Sequence, residues 1–528
     1  MTTTWDDLVT TALLGTDRRP ASPGALLDEA ALRTVQRRAA LLPATPRPLP
    51  EAAPEDVRPP LPEAARRRLA LLLAERAAGP GGSGRRGGGP DLTELLPQWL
   101  AAANDHGYRA PEALLPGLLD AARARSDLRP GALALGGPRA LWLARLNPQW
   151  RYALRDAPAS SAAPAATDTA DRADGAAHRI QLWQEGLFAE RVALLTSLRR
   201  HDPAAARELL ATTWTQERAE DRLMFLDTLR DELSLTDEPF LERALTDRGR
   251  TVRAAAAELL SALPASALAG RMAERARACV ALDRTGGRHT VVVEAPHECD
   301  AAMRRDGVVA KPPAGRGERS WWLGQLVEAA PLGIWCERLG VAGAAEAVAL
   351  PVADGWRPDL HAAWCRAAVR QGDAEWSRAL LGPAASPPAP MGASWLDPAK
   401  LLSALPPGER AGWVAEFIAA HGLSEAFRLL GVCAVPWAEP LGRAVVDALD
   451  TAREAGGYPW SFSGVMGMAE RCLDPEQADL LEALTVFPSG REDGEPHGAA
   501  GYWAEAYQRL IGTLRLRAAM REELADGN

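Results

Sequence analysis

The sequence predicts an all-α fold in which short amphipathic helices stack in pairs as an α-solenoid, with one small extended or β-hairpin insertion. Three observations predict this fold class. Apolar residues recur at helical spacing along most of the 528-residue chain. Most of these helices span about three turns, a length that is marginal alone and becomes stable by packing on similar helices. One segment, Val291–Val293, breaks the pattern with consecutive β-branched residues.

The clearest pair of helices lies between Glu238 and Pro264. Its first helix begins with Pro239 after two acids, which suits both the first helical turn and the positive end of the helix dipole. Gly249 interrupts the apolar pattern, and Thr251 is the expected N-cap of the second helix. Pairs in this region recur at roughly the spacing of helical repeats. An ordinary helical bundle has the same local patterning and stays an alternative.

The second half of this pair has a more specific pattern. The run DRGRTVRAAAAELL, Asp247–Leu260, resembles the turn and second helix of a HEAT-type repeat. The resemblance implies that Asp247 and Arg253 hold neighbouring repeats together. We therefore interpret both as structural contacts.

Changes in composition divide the chain into segments. Residues 79–90 have the formal glycine spacing of a dinucleotide-binding loop, but a helix precedes them, so a flexible linker is the better interpretation. Residues 157–178 lack large apolar side chains and are expected to be disordered. The remaining predicted segments are an N-terminal helical segment (1–78), a second helical segment (91–156), a HEAT-like array (179–285), an extended or β insertion (286–320) and a C-terminal helical array (321–528).

Local signals set several helix ends. The first helix is expected to begin at about Thr4 and to end at Gly15, and the last helix is expected over Gly501–Glu523. Within the insertion, Val291–Val293 is expected to pair with Gly307–Val309. Elsewhere an aspartate placed to cap a helix is followed by a proline suited to the first turn: Asp202-Pro203, Asp397-Pro398 and Asp474-Pro475.

Charge and cysteine usage exclude several classes of protein. A net charge of −9 argues against strong binding of nucleic acid or anionic membranes by the whole chain. The six cysteines have no short paired spacing, which suits a reducing compartment. The sequence contains neither a signal-peptide pattern nor a long apolar run. The cytoplasm is the expected location.

The sequence contains only weak signals for a metal site or a catalytic site. His297–Asp300 groups potential metal ligands in an extended segment, where neighbours cannot all point at one ion. His361 and Cys365 are one helical turn apart, but no second ligand pair is visible. The chain has no nucleophile elbow and no phosphate-binding loop. We expect no catalytic residue, metal or cofactor; a metal-dependent enzyme using residues 288–320 and a HEAT-like nucleic-acid-binding protein are the alternatives.

Some exposed positions are candidates for binding a partner. Adjacent Trp321 and Trp322 cannot both face one core, and an exposed tryptophan is a typical interface anchor. The polar run Asp17, Arg18 and Arg19 and the acidic Asp306 are further candidates. Core packing is the ordinary explanation of the tryptophans, and a solvated helix end is that of the polar run.

Several motifs together resemble an uncharacterised bacterial family of unknown function: ALLGTDRR, ALWLARLNPQW, WQEG, ERVALLTSLRRHDPAAAREL, DEPFLERALTDRGRTVRAAAAELLSALPASAL, RDGVV and SWWLGQLVEAAPLGIW. Members of that family are typically encoded beside a SWIM zinc-finger protein, a MoxR-type AAA+ ATPase and a von Willebrand factor A-domain protein. The resemblance implies a non-catalytic helical adaptor that binds protein partners in a MoxR-type chaperone system. It implies no catalytic residues.

Overall fold

A computed structural model describes residues 4–15, 22–39, 50–77, 92–156, 179–285, 287, 289–386, 397–485 and 499–525. These residues are mostly helical, with one two-stranded antiparallel sheet. The all-α prediction with one small strand pair is confirmed at that level. The predicted linkers 79–90 and 157–178 lie outside the described residues. The chain divides into two compact units, residues 1–54 and 55–528.

The smaller unit contains helices α1 (Trp5–Leu14) and α2 (Pro23–Arg38). Thr4 caps α1: its hydroxyl accepts the N–H of Asp7, and the Asp7 carboxylate accepts the N–H of Thr4. Gly15, with φ of +80°, ends the helix. Both predicted ends of this helix are confirmed.

In the larger unit, the described apolar side chains form three buried cores. The first core is centred on Trp99 and the leucines of α3–α6. Its helices are α3 (Glu63–Ala77), α4 (Leu92–Asp105), α5 (Leu115–Ala124), α6 (Arg129–Leu146) and α7 (Tyr152–Asp156).

The second core contains the region of the clearest sequence pattern and continues well beyond it. It joins residues from Trp183 to Leu401. Its elements are α8 (179–185), α9 (Phe188–His201), α10 (Pro203–Thr213), α11 (Ala219–Thr228), α12 (Glu238–Ala244), α13 (Arg250–Ser261), α14 (Ala267–Cys279), β1 (Val280–Asp283), β2 (Thr290–Val293), α15 (Ala301–Arg305), α16 (Glu318–Ala329), α17 (Gly333–Leu339), α18 (Ala344–Ala349), α19 (Arg357–Gln371) and α20 (Ala374–Leu381).

The strand partner differs from the prediction. β2 pairs antiparallel with β1, with Val280 opposite Val293, and does not pair with Gly307–Val309. β1 follows α14 directly and is separated from β2 by only six residues, so pairing these two strands closes a shorter loop than pairing β2 with Gly307–Val309. Gly307, with φ of +92°, instead ends α15, and the N–H of Val308 bonds to the carbonyl of Met303.

The third core is formed by the C-terminal helices. They are α21 (Pro398–Ser403), α22 (Pro407–His421), α23 (Leu423–Leu430), α24 (Glu439–Glu454), α25 (Ser463–Cys472), α26 (Ala478–Thr485) and α27 (Ala499–Ala525). The long last helix is confirmed. Its Trp503 lies in the third core, whereas its Met520 and Leu524 lie in the first core. A single helix thus joins the two cores.

The predicted caps are confirmed in part. Asp202 and Asp474 accept backbone N–H groups of their own helical turns, whereas Asp397 accepts none at the start of its helix. The expectation that Thr251 caps the second helix of the Glu238–Pro264 pair was wrong, because α13 already begins after Gly249. Among the described helices, none is both long and apolar enough to cross a membrane.

Candidate functional site

An open cleft of about 540 Å³ lies beside the helix pair that is clearest in the sequence. The end of α10, the first turns of α11, α12 and the turn between α12 and α13 enclose it. Its described lining consists of Ala211, Trp214, Thr215, Arg222, Phe240, Arg243, Thr246, Asp247 and Arg248. We call it the arginine cleft.

Two aromatic rings form a wall of the arginine cleft. The ring centroids of Trp214 and Phe240 are 5.0 Å apart and meet edge to face at 73°. Phe240 is buried, while Trp214 is partly exposed. The guanidinium of Arg222 lies 5.7 Å from the Trp214 centroid. Because the rings and the guanidinium pack on one another, this wall is a preformed surface.

Asp247 fixes the turn at the rim of the cleft. Its Oδ1 accepts a hydrogen bond from Nη2 of Arg222, at 2.9 Å, and another from the N–H of Gly249, at 2.7 Å. Nη1 of Arg253 donates to the backbone carbonyls of Asp247 and Arg248, at 2.7 and 3.1 Å. Asp247 and Arg253 therefore contact each other through the Asp247 carbonyl, and the Asp247 carboxylate pairs with Arg222 of α11.

The two other arginines of the cleft are exposed and uncompensated. Among the described residues, neither Arg243 nor Arg248 has a hydrogen-bond or ion-pair partner for its guanidinium. Arg243 lies over the Phe240 ring, 5.9 Å from its centroid. Together with Arg222, they give the lining three arginines against the single acid Asp247. The cleft is therefore positively charged.

Two acids on the elements beside the cleft are already paired. Glu242 binds Arg271 at 3.1 Å, and Glu217 binds Arg191. Burial alone would raise the pKa of Glu217, but hydrogen bonds from Arg191 and Thr213 lower it overall, so the carboxylate is ionised and engaged. An anion in the cleft would not compete with these acids for its two free arginines.

A family model matches residues 7–524, and its description is "Family of unknown function (DUF5691)". The match covers nearly the whole sequence. The chain belongs to this family. The family membership inferred from the sequence motifs is thereby confirmed, and a search of curated proteins finds no match to the chain.

The residues of this DUF5691 protein that were predicted to bind a partner lie away from the cleft or outside the described residues. Asp17, Arg18 and Arg19 are outside them. Asp306 is buried, and its carboxylate oxygens lie 2.9 Å from Arg271 and 2.7 Å from Arg275. This ion pair joins the end of α15 to α14.

The two adjacent tryptophans form hydrogen bonds to the backbone of the segment before α16. Nε1 of Trp321 donates to the carbonyl of Val309 and Nε1 of Trp322 donates to that of Ala310, each at 2.8 Å. Trp322 is buried, and Trp321 is partly buried against the second core. Both indole N–H groups are thus used within the chain.

The possible metal ligands are dispersed. His297 lies 3.6 Å from Glu294, while the Asp300 side chain caps α15. His361 and Cys365 lie in the second core, where burial and the charge of Arg357 lower the pKa of His361 to about 4. In the part of the chain that the structure describes, no group of three or more His, Cys, Asp or Glu side chains could hold a metal ion.

An exposed aromatic cluster was missed in the sequence. Tyr458 and Trp460 stack with centroids 4.4 Å apart, and Tyr502 meets Trp460 edge to face at 5.3 Å. Trp460 is 57% exposed. Its turn is preceded by Gly456-Gly457, a signal for a turn but not for exposure of the aromatic rings that follow.

The cleft residues Trp214, Arg243 and Arg248 were also missed. A tryptophan at the end of a helix and an arginine-rich turn, Arg248 to Arg253, were visible signals. They come from separate segments of the chain, and the contact of Trp214 with Phe240 of α12 places them on one cleft.

Proposed function

We propose that this DUF5691 protein is a non-catalytic helical scaffold that binds partner proteins, and that the arginine cleft is one of its binding surfaces. The observation that carries the proposal is the composition of the cleft. Tryptophan and arginine are the residue types that most often dominate the binding energy of interfaces, and here they share a concave, preformed surface. The open shape of the cleft suits a protruding side chain or a short segment of another protein.

A HEAT-like solenoid for α9–α14 is the architectural part of this proposal. The packing of α9 on α10, of α12 on α13 and of α13 on α14 supports it, since consecutive helices lie side by side. The pair formed by Arg222 and Asp247 supports it further, because it ties α11 to the turn of the next helix pair. Stacked pairs of this kind present extended binding surfaces.

The partners and the compartment belong to the same proposal. The sequence resemblance suggests a MoxR-type AAA+ ATPase or a von Willebrand factor A-domain protein as partner. Six free cysteines are compatible with a cytoplasmic location.

Affinity purification from the native host tests the proposal. The wild-type protein is compared with the charge-reversed variant Arg243→Glu/Arg248→Glu and with a control, Lys311→Glu/Arg316→Glu, which makes the same charge change at two exposed loop positions. We expect the wild type and the control to recover the same partner protein and the cleft variant to lose it. Recovery of no partner, together with turnover of a small substrate by the purified protein, would overturn the scaffold assignment.

A further inference from the structure

We infer that the arginine cleft binds an acidic segment of a partner protein, with a carboxylate between Arg243 and Arg248 and a neighbouring apolar side chain against Trp214. This inference rests on the proposed scaffold function and specifies the chemistry of the partner. The arginines of the cleft bind the carboxylate, and the aromatic wall binds the apolar side chain.

Charge complementarity selects an anion. Arg222 is neutralised by Asp247, so the surplus charge of the lining belongs to Arg243 and Arg248. Three other arginines of this region are neutralised by acids: Arg191 binds Glu217, Arg207 binds Asp237 and Arg230 binds Asp227. A carboxylate is the anion that a protein segment supplies from its own side chains, and a guanidinium binds it with two parallel hydrogen bonds.

The aromatic wall selects an apolar neighbour to that carboxylate. Trp214 keeps part of its surface exposed beside the charged rim, and Phe240 supports it edge to face. A free inorganic anion would leave this surface in water. A peptide with a leucine or aromatic residue next to an acid would cover the exposed part of Trp214, and burial of this apolar surface would add to the binding free energy.

A protein fits the cleft better than a nucleic acid does. Nucleic acid requires basic residues along a track that follows successive phosphates. Three arginines near the cleft, Arg191, Arg207 and Arg230, are paired with acids, and the whole chain has a net charge of −9. The free positive charge is thus local, which suits one or two carboxylates of a peptide.

Panning a phage-displayed library of random dodecapeptides on the intact purified protein tests the inference. We expect the selected peptides to be rich in Asp and Glu flanking an apolar residue and to elute at high salt, because exposed charge pairs are screened. Arg243→Glu/Arg248→Glu should bind a selected peptide at least about tenfold more weakly, while Lys311→Glu/Arg316→Glu should bind it as the wild type does. A third variant, Trp214→Ala, should weaken the same peptide without removing its salt dependence.

The other outcomes overturn the inference. Neutral or basic peptides, no enrichment, or acidic peptides that bind the cleft variant equally well would each contradict an acidic ligand at this site. Tighter binding of a fluorescein-labelled single- or double-stranded DNA than of any peptide, lost in the cleft variant, would assign the cleft to nucleic acid. If affinity purification still recovers a partner that depends on the cleft while panning selects no acidic peptide, the scaffold function stands and the ligand chemistry is wrong.

Discussion

The ion pair between Arg199 of α9 and Asp237 gives the sharpest test of what holds the second core together. Both side chains are 0% exposed. Nη1 and Nη2 of Arg199 each donate to one carboxylate oxygen, at 3.0 Å. The same guanidinium also donates to backbone carbonyls of the segment that joins α11 to α12: Leu229, Asp231 and Glu232.

Replacing Asp237 with alanine leaves this guanidinium buried without its counter-charge. Removal of one partner of a buried pair costs about 3–5 kcal/mol. The carbonyls still accept hydrogen bonds from Arg199 and partly stabilise its charge. We therefore expect Asp237→Ala to lower the free energy of unfolding by about 3 kcal/mol, the lower end of that range. The lost contact with Arg207 adds little, because that side chain is 20% exposed.

Urea unfolding followed by tryptophan fluorescence measures the loss, and hydrogen exchange over residues 229–237 locates it. The control is Asp227→Ala, which breaks a solvent-exposed pair with Arg230 and should cost no more than about 0.5 kcal/mol. The double variant Arg199→Met/Asp237→Leu should recover only part of the stability, since no buried charge is left unpaired but the carbonyls lose their donor. Equal stability of Asp237→Ala and Asp227→Ala would refute the reasoning.

Three further predictions test other parts of the structure. Asp247→Ala should cost about 2–3 kcal/mol in urea unfolding, because Arg222 is 5% exposed and loses its charged acceptor, keeping only the carbonyl of Glu217; a loss below about 0.5 kcal/mol, within the range of exposed pairs, would contradict the structural role. The folded pKa of His361, about 4, lies below its ordinary 6.5, so the neutral form stabilises the fold above pH 6.5 and that stability is lost as pH falls from 6.5 to 4. At about pH 5 the loss should reach about 2 kcal/mol relative to pH 7, and His361→Gln should show that much less pH dependence. A double-mutant cycle on Arg68 and Glu523, which form two hydrogen bonds between α3 and α27, should give a coupling of about 1 kcal/mol; zero coupling would contradict a stabilising ion pair between the two helices.

The presence of most helices was predictable because it depends on the spacing of apolar residues within a short stretch of sequence. The ends of α1 follow from Thr4 and Gly15, whose effects reach only a few residues. The strand partner was not predictable in the same way. Val280–Asp283 continues the apolar pattern of α14, and only the backbone after Cys279 shows that the helix ends there.

Long-range packing had no local signal at all. Arg68 and Glu523 are 455 residues apart, and each looks like an ordinary charge on the polar face of a helix. Their pairing places the last helix against the first core. Spacing along a helix fixes which residues share a face, but it does not specify which distant helix covers that face.

The arginine cleft illustrates the same limit for function. In the sequence, Arg243 and Arg248 are exposed charges at the end of a helix and in a turn, for which solvation is sufficient explanation. In the structure both arginines line one cleft beside an aromatic wall, and the neighbouring acid Glu242 is paired with Arg271. Like charges without a counter-charge repel each other and destabilise the folded protein slightly. An anionic partner that binds beside the aromatic wall supplies the counter-charge for the two free arginines.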